Sequence, residues 1–561
     1  MDRRATLATM LGRGHDESHN ASQMAKASAT VTTLNTGLES FAGEWTFEQA
    51  AHLLRRTTFG PTIDQIKEAT ANGLEATVEQ LFADIDLPSP PINYDEDQDP
   101  YVQIGQTWIN SPYNDNKNVK PYRWRSLRAW ILMNIMDEGI SIREKLTLFW
   151  HNHFAVNNVN DPRFIYRYLN LIRSNAWGNF RDLVKNMTIE PAMLRFLNGN
   201  QNTKNAPNEN YARELLELFT IGKGPLAGPD DYTNYTEVDV LEVARILTGW
   251  RDRGFSTKNP EIPIESYYTN SRHDLTSKTL SPRFDNIVIT NNGEWEYNEL
   301  INIIFEKKEV ARYISRKLYR WFIYYKIDDN AEVNVIEPMA DMLVENDYEI
   351  KPVLKTLLRS EHFYDILSVG PMIKNPVDFA ISPLKQMQVS FPKDNLALYY
   401  TIMVKFYGAV KLMEMDYINP PEVAGWKAYY QEPQFYRTWI NATTLQQRMG
   451  YTTKIINNGY TTQGEKTRID PLEVVKTVEN AEDPNILIDT LASMWFPKAI
   501  TDSQKVALKE ILIPGLPDFE WTVEYGQYAA EPDNEDLKDA VNSKLQDLIE
   551  AMMSMAEYYL S

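Results

Sequence analysis

The sequence predicts a mainly α protein, a large multi-helix globular bundle with a small irregular, β-hairpin insertion. Three observations point there. Long stretches carry apolar residues at helical spacing, and capping signals precede several of them. The apolar fraction of 43%, with 13 Trp, 31 Tyr and 21 Phe in 561 residues, can fill one extensive core.

Residues 1–43 read as a mobile leader, because the stretch from about 12 is rich in Ser, Thr, Ala and Asn without sustained periodicity. Its opening, with Arg3 and Arg4, is like the start of a twin-arginine export signal, but Gly-Arg-Gly-His-Asp-Glu stands where an apolar segment should continue. An ordinary N-terminal tail explains it equally well.

From Trp45, the pattern Phe47, Ala50, Ala51, Leu53, Leu54 predicts a helix ending before Gly60-Pro61, with Thr62 and Asp64 placed to cap the next. Ser141-Ile-Arg-Glu144 reads as a capping box opening the helix that carries His151 and His153. Thr236 to Asp239 marks another start, and that helix should stop at Gly249-Trp250. Between about 256 and 297 the helical signal lapses, and Asn286 to Thr290 followed by Asn-Asn-Gly predicts a hairpin. Helices resume near Glu296, the stretch from about 450 to 530 is less regular, and an amphipathic helix from about Glu535 closes the chain. The expected organisation is one domain, with residues 44–450 its helical core and 451–561 completing it.

A net charge of −20 and a pI near 5.0 argue against nucleic acid as a partner, since phosphate binding needs a basic face. Zero cysteines exclude disulfides and thiolate metal sites. No run approaches the ~20 apolar residues that span a bilayer. No phosphate loop, nucleophile elbow or His-Glu-x-x-His is present.

Several blocks concentrate chemistry-bearing residues. His151 and His153 lie two apart, so on a regular helix they point about 200° from each other and share a metal only if the backbone is irregular. Packing among aromatics is the competing reading. Across 207–219, Glu209, Arg213, Glu214 and Glu217 share an arc opposite Leu215, Leu216 and Phe219. That arc is either a solvated face laced by i,i+4 pairs or a set of carboxylates turned into a cleft as an acid/base or ligand group. His273-Asp274 suits a metal ligand pair or a turn. The stiff loop Asn419 to Trp426 lines a pocket or braces helices. Arg55 and Arg56 aim at an anion or at the Glu-rich helix, or are a surface pair near a helix end.

Taken in order, Ala51–Pro61, Leu148–Phe154, Asn208–Leu218, Leu247–Trp250, His273-Asp274 and Pro420–Trp426 resemble the bacterial family catalogued as domain of unknown function 1800. The resemblance runs from about residue 45 to the C-terminal helix. It carries over no established reaction. It implies a bacterial, often exported or cell-envelope protein, and a partner in the family called domain of unknown function 1501.

Two functional readings follow. In one, His151, His153, His273 and Asp274 bind a divalent metal, with Glu209, Arg213, Glu214 and Glu217 as catalytic groups of a hydrolytic or ligand-binding site. In the other, a non-catalytic helical scaffold binds a partner protein or surface glycan through exposed Tyr and Trp.

Overall fold

The computed structural model describes residues 36–229 and 231–561. The arginine pair and residues 1–35 of the leader expected over 1–43 lie outside the described residues. Within residues 36–43, Leu38 packs on the core, and the Phe41 amide donates to the Arg359 carbonyl at 2.8 Å.

The first helices are α1 (Phe47–Thr57) and α2 (Ile63–Leu81). They are separated at Gly60, whose φ of +81° and approach to the Ser382 backbone exclude a side chain. Thr62 and Gln65 cap α2 reciprocally. Three helices then build the centre: α3 (Lys120–Asp137), α4 (Arg143–His153) and α5 (Pro162–Ser174). All eleven residues of α4 are buried, so each of its polar side chains needs a partner. That requirement overrides the expected capping box at Ser141. The Glu144 carboxylate turns away to accept from both Arg173 Nε (2.6 Å) and Nη2 (2.9 Å), and Arg173 itself lies over the Trp130 ring.

Next come α6 (Phe180–Thr188), α7 (Pro191–Phe196) and α8 (Glu209–Glu214), which runs directly into a π turn over Leu215–Thr220. The strands β1 (Leu226–Gly228) and β2 (Asp231–Tyr232) pair with each other ahead of α9 (Glu237–Ile246), whose Thr236 and Asp239 form the reciprocal cap. Two further antiparallel ribbons follow, β3 (Trp250–Arg253) with β4 (Glu265–Tyr268), and β5 (Lys278–Thr279) with β6 (Val288–Ile289). The expected strand around Ile289 therefore exists but pairs backwards. Asn291 to Gly293 does not close a hairpin; it leads into a short 3₁₀ turn and α10 (Glu296–Phe305).

The helices α11 (Lys308–Phe322), α12 (Glu337–Glu345), α13 (Ile350–Leu358), α14 (Pro376–Gln386) and α15 (Leu396–Leu412) follow, with α15 packed along α3. The stretch expected to be irregular is largely helical: α16 (Ala442–Thr453), α17 (Pro484–Trp495), α18 (Asp502–Leu512) and α19 (Phe519–Ala530) precede α20 (Glu535–Ser554), with one ribbon, β7 (Tyr460–Thr462) and β8 (Glu465–Thr467). Here proline and polar residues mark helix starts, as Asp483-Pro484 does. One apolar cluster extends from Ala50 to Tyr559. Among the described residues no helix is long and apolar enough to cross a membrane.

The loop from Tyr417 to Tyr430 is fastened to the end of α4. The Asn152 side-chain oxygen accepts from the Trp426 amide at 2.9 Å, and Asn157 donates to the Pro420 carbonyl at 2.7 Å. Gly425 makes this approach feasible: its φ is +86°, and a Cβ there would stand 2.2 Å from Asn152 Oδ1. Gly425→Ala is therefore expected to cost about 3 kcal/mol. Gly526→Ala, inside α19 with nothing within 4 Å, is expected to stabilise by roughly 0.5–1 kcal/mol. Denaturant midpoints of the two variants check the pair, and equal effects would contradict the packing argument.

Candidate functional site

His151 and His153 both sit on regular helix, so they face opposite sides of α4. His151 is fully buried beside Tyr168, Tyr417 and Trp426. Burial pushes its pKa down to about 4, so the ring is neutral. Because a carbonyl only accepts, Nε2–H donates to the Tyr417 carbonyl at 2.5 Å, and Nδ1 lies 2.8 Å from the Tyr168 hydroxyl, whose one proton is shared with the Phe154 carbonyl at 2.8 Å. Neither nitrogen is left for a metal. His153 Nε2–H donates to the Phe219 carbonyl at 3.0 Å, while its Nδ1 is buried without a partner. Burial, and then the nearby Lys317 charge, hold this imidazole well below its usual pKa.

His273 and Asp274 belong to a separate cluster. His273 is enclosed, with Nδ1 facing the Thr248 carbonyl at 2.8 Å and Nε2 facing Glu296 Oε1 at 2.8 Å. Lys278 closes the cluster on the other Glu296 oxygen at 2.6 Å. Asp274 binds Arg245 at 2.8 Å and the Thr276 amide at 2.9 Å. Burial works against its ionised form, but those hydrogen bonds outweigh it and hold the carboxyl well below the ordinary range. Among the described residues no three His, Asp or Glu side chains are grouped to hold a metal ion, so the expected set of His151, His153, His273 and Asp274 does not converge.

The acidic helix divides at the π turn. Glu209 and Arg213 lie on the surface, where Arg213 makes two 2.7 Å bonds to Glu237 and a 3.3 Å contact to Glu209. Beyond Glu214 the regular 100° step no longer holds. Glu217 pairs with Lys223 at 2.7 Å and accepts from the Tyr235 hydroxyl at 3.2 Å, rather than meeting Arg213. Glu214 is half-buried; desolvation first, and Glu217 second, push its pKa up to about 7. The four residues thus form no shared acid/base group around the histidines.

What meets His153 is a different set. A cavity of about 180 Å³ lies between the end of α4, the π turn, α11 and the loop after Ala424. Its polar lining comprises Asn152, His153, Tyr313, Arg316, Lys317, Arg320 and the paired tyrosines 429 and 430, and it includes no carboxylate. Arg316 is neutralised by Glu332 at 2.5 Å and Glu309 at 3.3 Å. Lys317 and Arg320 donate only to main-chain carbonyls among the described residues, of Leu218 at 3.3 Å and Tyr325 at 3.2 Å. Burial, and then Arg320, push the Lys317 ammonium down to about 7. Tyr313 also donates to the Leu218 carbonyl, at 3.0 Å. The sequence analysis did not single out this wall, because Arg316 to Phe322 carries the Leu, Tyr, Trp and Phe of a core helix. The overlooked signal is Arg316 and Arg320 at i,i+4, beside Lys317, on a helix otherwise rich in Leu, Tyr, Trp and Phe.

Fold and cavity together define a mainly α protein with a cation-lined internal site. The chain belongs to the family described as "Protein of unknown function (DUF1800)", whose model matches residues 52–558. No curated protein and no solved structure matches it.

The Glu214 environment yields a signed test. Its raised pKa gives stability that is fully present below about 4.5 and lost as pH rises through about 7. Glu214→Gln should therefore match the native protein at pH 4 and exceed it at pH 8 by about 1–2 kcal/mol, allowing for partial solvent screening. Denaturant unfolding across this range reads the difference; parallel profiles would remove the argument.

Proposed function

We propose that this chain binds a small organic anion, a carboxylate or phosphate that also carries a hydroxyl, in the cavity between α4, α11 and the π turn. One observation carries the reading: a cavity of about 180 Å³ presents Lys317 and Arg320 without carboxylate partners, together with a buried imidazole nitrogen that lacks a donor. The cations supply charge-assisted hydrogen bonds to the acid group. His153 Nδ1 accepts from the hydroxyl, and the Trp321 and Tyr429 rings offer an apolar wall. The His/Glu ligand-site expectation thereby narrows to His153 with α11 cations. For the alternative, a scaffold that docks partners through exposed Tyr and Trp, the described surface offers Trp295 as the one exposed tryptophan of the 13, with Tyr101 and Tyr430 among the exposed tyrosines.

Titrating the full chain with a panel of sugar phosphates and hydroxy acids, followed by calorimetry, tests the proposal. At least one should saturate in the micromolar to millimolar range. Lys317→Met and Arg320→Gln should each weaken it roughly 10–100-fold, the loss expected for a charge-assisted bond. Since the ammonium form is required, affinity should fall as pH rises through and above 7, the bound anion itself lifting the Lys317 midpoint. Affinity unaffected by either substitution would dismiss the site.

A further inference from the structure

A second cavity lies beyond Trp321 and Tyr429, which line both spaces. Its volume is about 30 Å³, against the ~10–15 Å³ that one water needs, so it admits a single carboxylate- or phosphate-sized group. Arg55, Arg56 and Lys145 line it, and Asp378 is the only lining side-chain carboxylate.

Arg55 and Arg56, for which the sequence left open an anion, the Glu-rich helix or a surface pair, are both buried, at 7% and 5% exposure. Arg56 gives its donors to the Phe322 and Ile323 carbonyls, Met372 Sδ, and the backbone oxygen and hydroxyl of Ser561, the last residue of the sequence, and to no side-chain carboxylate. Arg55 gives Nη1 to the Ser493 and Met494 carbonyls, and its buried Nε has no acceptor. Lys145 holds Asp378 at 2.5 Å and lies over the Phe59 ring. Two more buried cations stand near Asp378, Lys374 and Arg448, and Arg448 also keeps Nε and Nη1 unpaired. A charged oxygen at Ser561 would still leave cations in excess. Buried charge without a counter-charge is costly, and a cavity among such groups is where an anion offsets that cost. Desolvation pushes Arg55 and Arg56 down to about 10 and Lys374 to about 7, consistent with the missing counter-charge.

We infer that this inner cavity is a binding site for one small oxyanion, held by Arg55 and Lys145 and backed by Arg56. The inference stands on residues other than those of the outer cavity, and its test separates the two. In the full chain carrying Lys317→Met and Arg320→Gln, inorganic phosphate is titrated at constant ionic strength against chloride. Saturable 1:1 binding is expected, with a rise in Tm of roughly 2–4 °C at 100-fold excess over Kd. Adding Arg55→Gln should weaken binding at least tenfold. Adding Asp378→Asn should tighten it severalfold, because it removes the competing side-chain carboxylate. A merely structural role for Asp378 predicts the opposite sign. Glucose 6-phosphate in the same background distinguishes a free oxyanion, if only phosphate binds, from the acid group of a larger ligand, if both do. Absence of saturable phosphate binding in the outer-cavity variant overturns the site regardless of how the other two variants fold. So does an Asp378→Asn protein that binds phosphate no better than its parent.

Discussion

The C-terminal turn of α4 is the constraint on which the other features depend. It is a buried helix end, and a buried helix end must find partners for its polar groups. It finds them in a segment about 270 residues away: His151 donates to the Tyr417 carbonyl, and Asn152 receives the Trp426 amide. Consecutive helical residues point in different directions, so the same turn serves two purposes. The His151 and Asn152 directions are consumed in holding the loop. The His153 direction is left facing the cavity, where one ring nitrogen is anchored and the other is free.

How charge is distributed follows a related logic. The chain as a whole carries −20, yet among the described residues eleven buried Arg and Lys stand against eight buried Asp and Glu. Much of that interior charge is balanced in closed pairs, such as Arg123 with Asp99 at 2.7 Å and Arg163 with Asp161 at 2.7 Å. The imbalance concentrates around Asp378; α11 adds Lys317 and Arg320, part-buried cations whose hydrogen bonds go to main-chain carbonyls. An acidic exterior repels anions at long range, an effect that salt screens within about 10 Å. Selection for an anion must then come from short-range contacts inside the cavities, where screening is weak.

Much of the architecture was legible because periodicity and capping report on the local chain. The α1 and α9 helices, the break at Gly60 and the closing helix α20 all follow from patterns within a few residues. Errors arose where a distant residue outbid a local one. Glu144 left its cap for Arg173, which lies on α5, and Val288-Ile289 paired with Lys278-Thr279 instead of across Asn-Asn-Gly. The site was less legible than the fold. The sequence singled out His153 as a chemistry-bearing residue, but its cavity neighbours come from α11, 160 residues on, and no spacing rule links them. His151 and His153 do not meet, for a reason already contained in the 200° separation: both lie on regular helix.

The π turn after α8 explains why the cavity lies where it does. The last carbonyls of any helix lack intrahelical donors and carry the negative end of its dipole. Here those of Leu218 and Phe219 are satisfied by Tyr313, Lys317 and His153, all of them cavity residues. Each donor is thereby fixed in place without being neutralised. A carbonyl holds an ammonium while leaving its charge available, whereas a carboxylate would cancel it. Replacing backbone acceptors by acidic side chains at this helix end would give a more stable wall and a cavity with no preference for anions. The same feature accounts for the broken acidic arc. Widening the helix at Leu215 carries Glu217 away from Arg213 toward Lys223, so the turn that assembles the cationic wall also removes carboxylates from it.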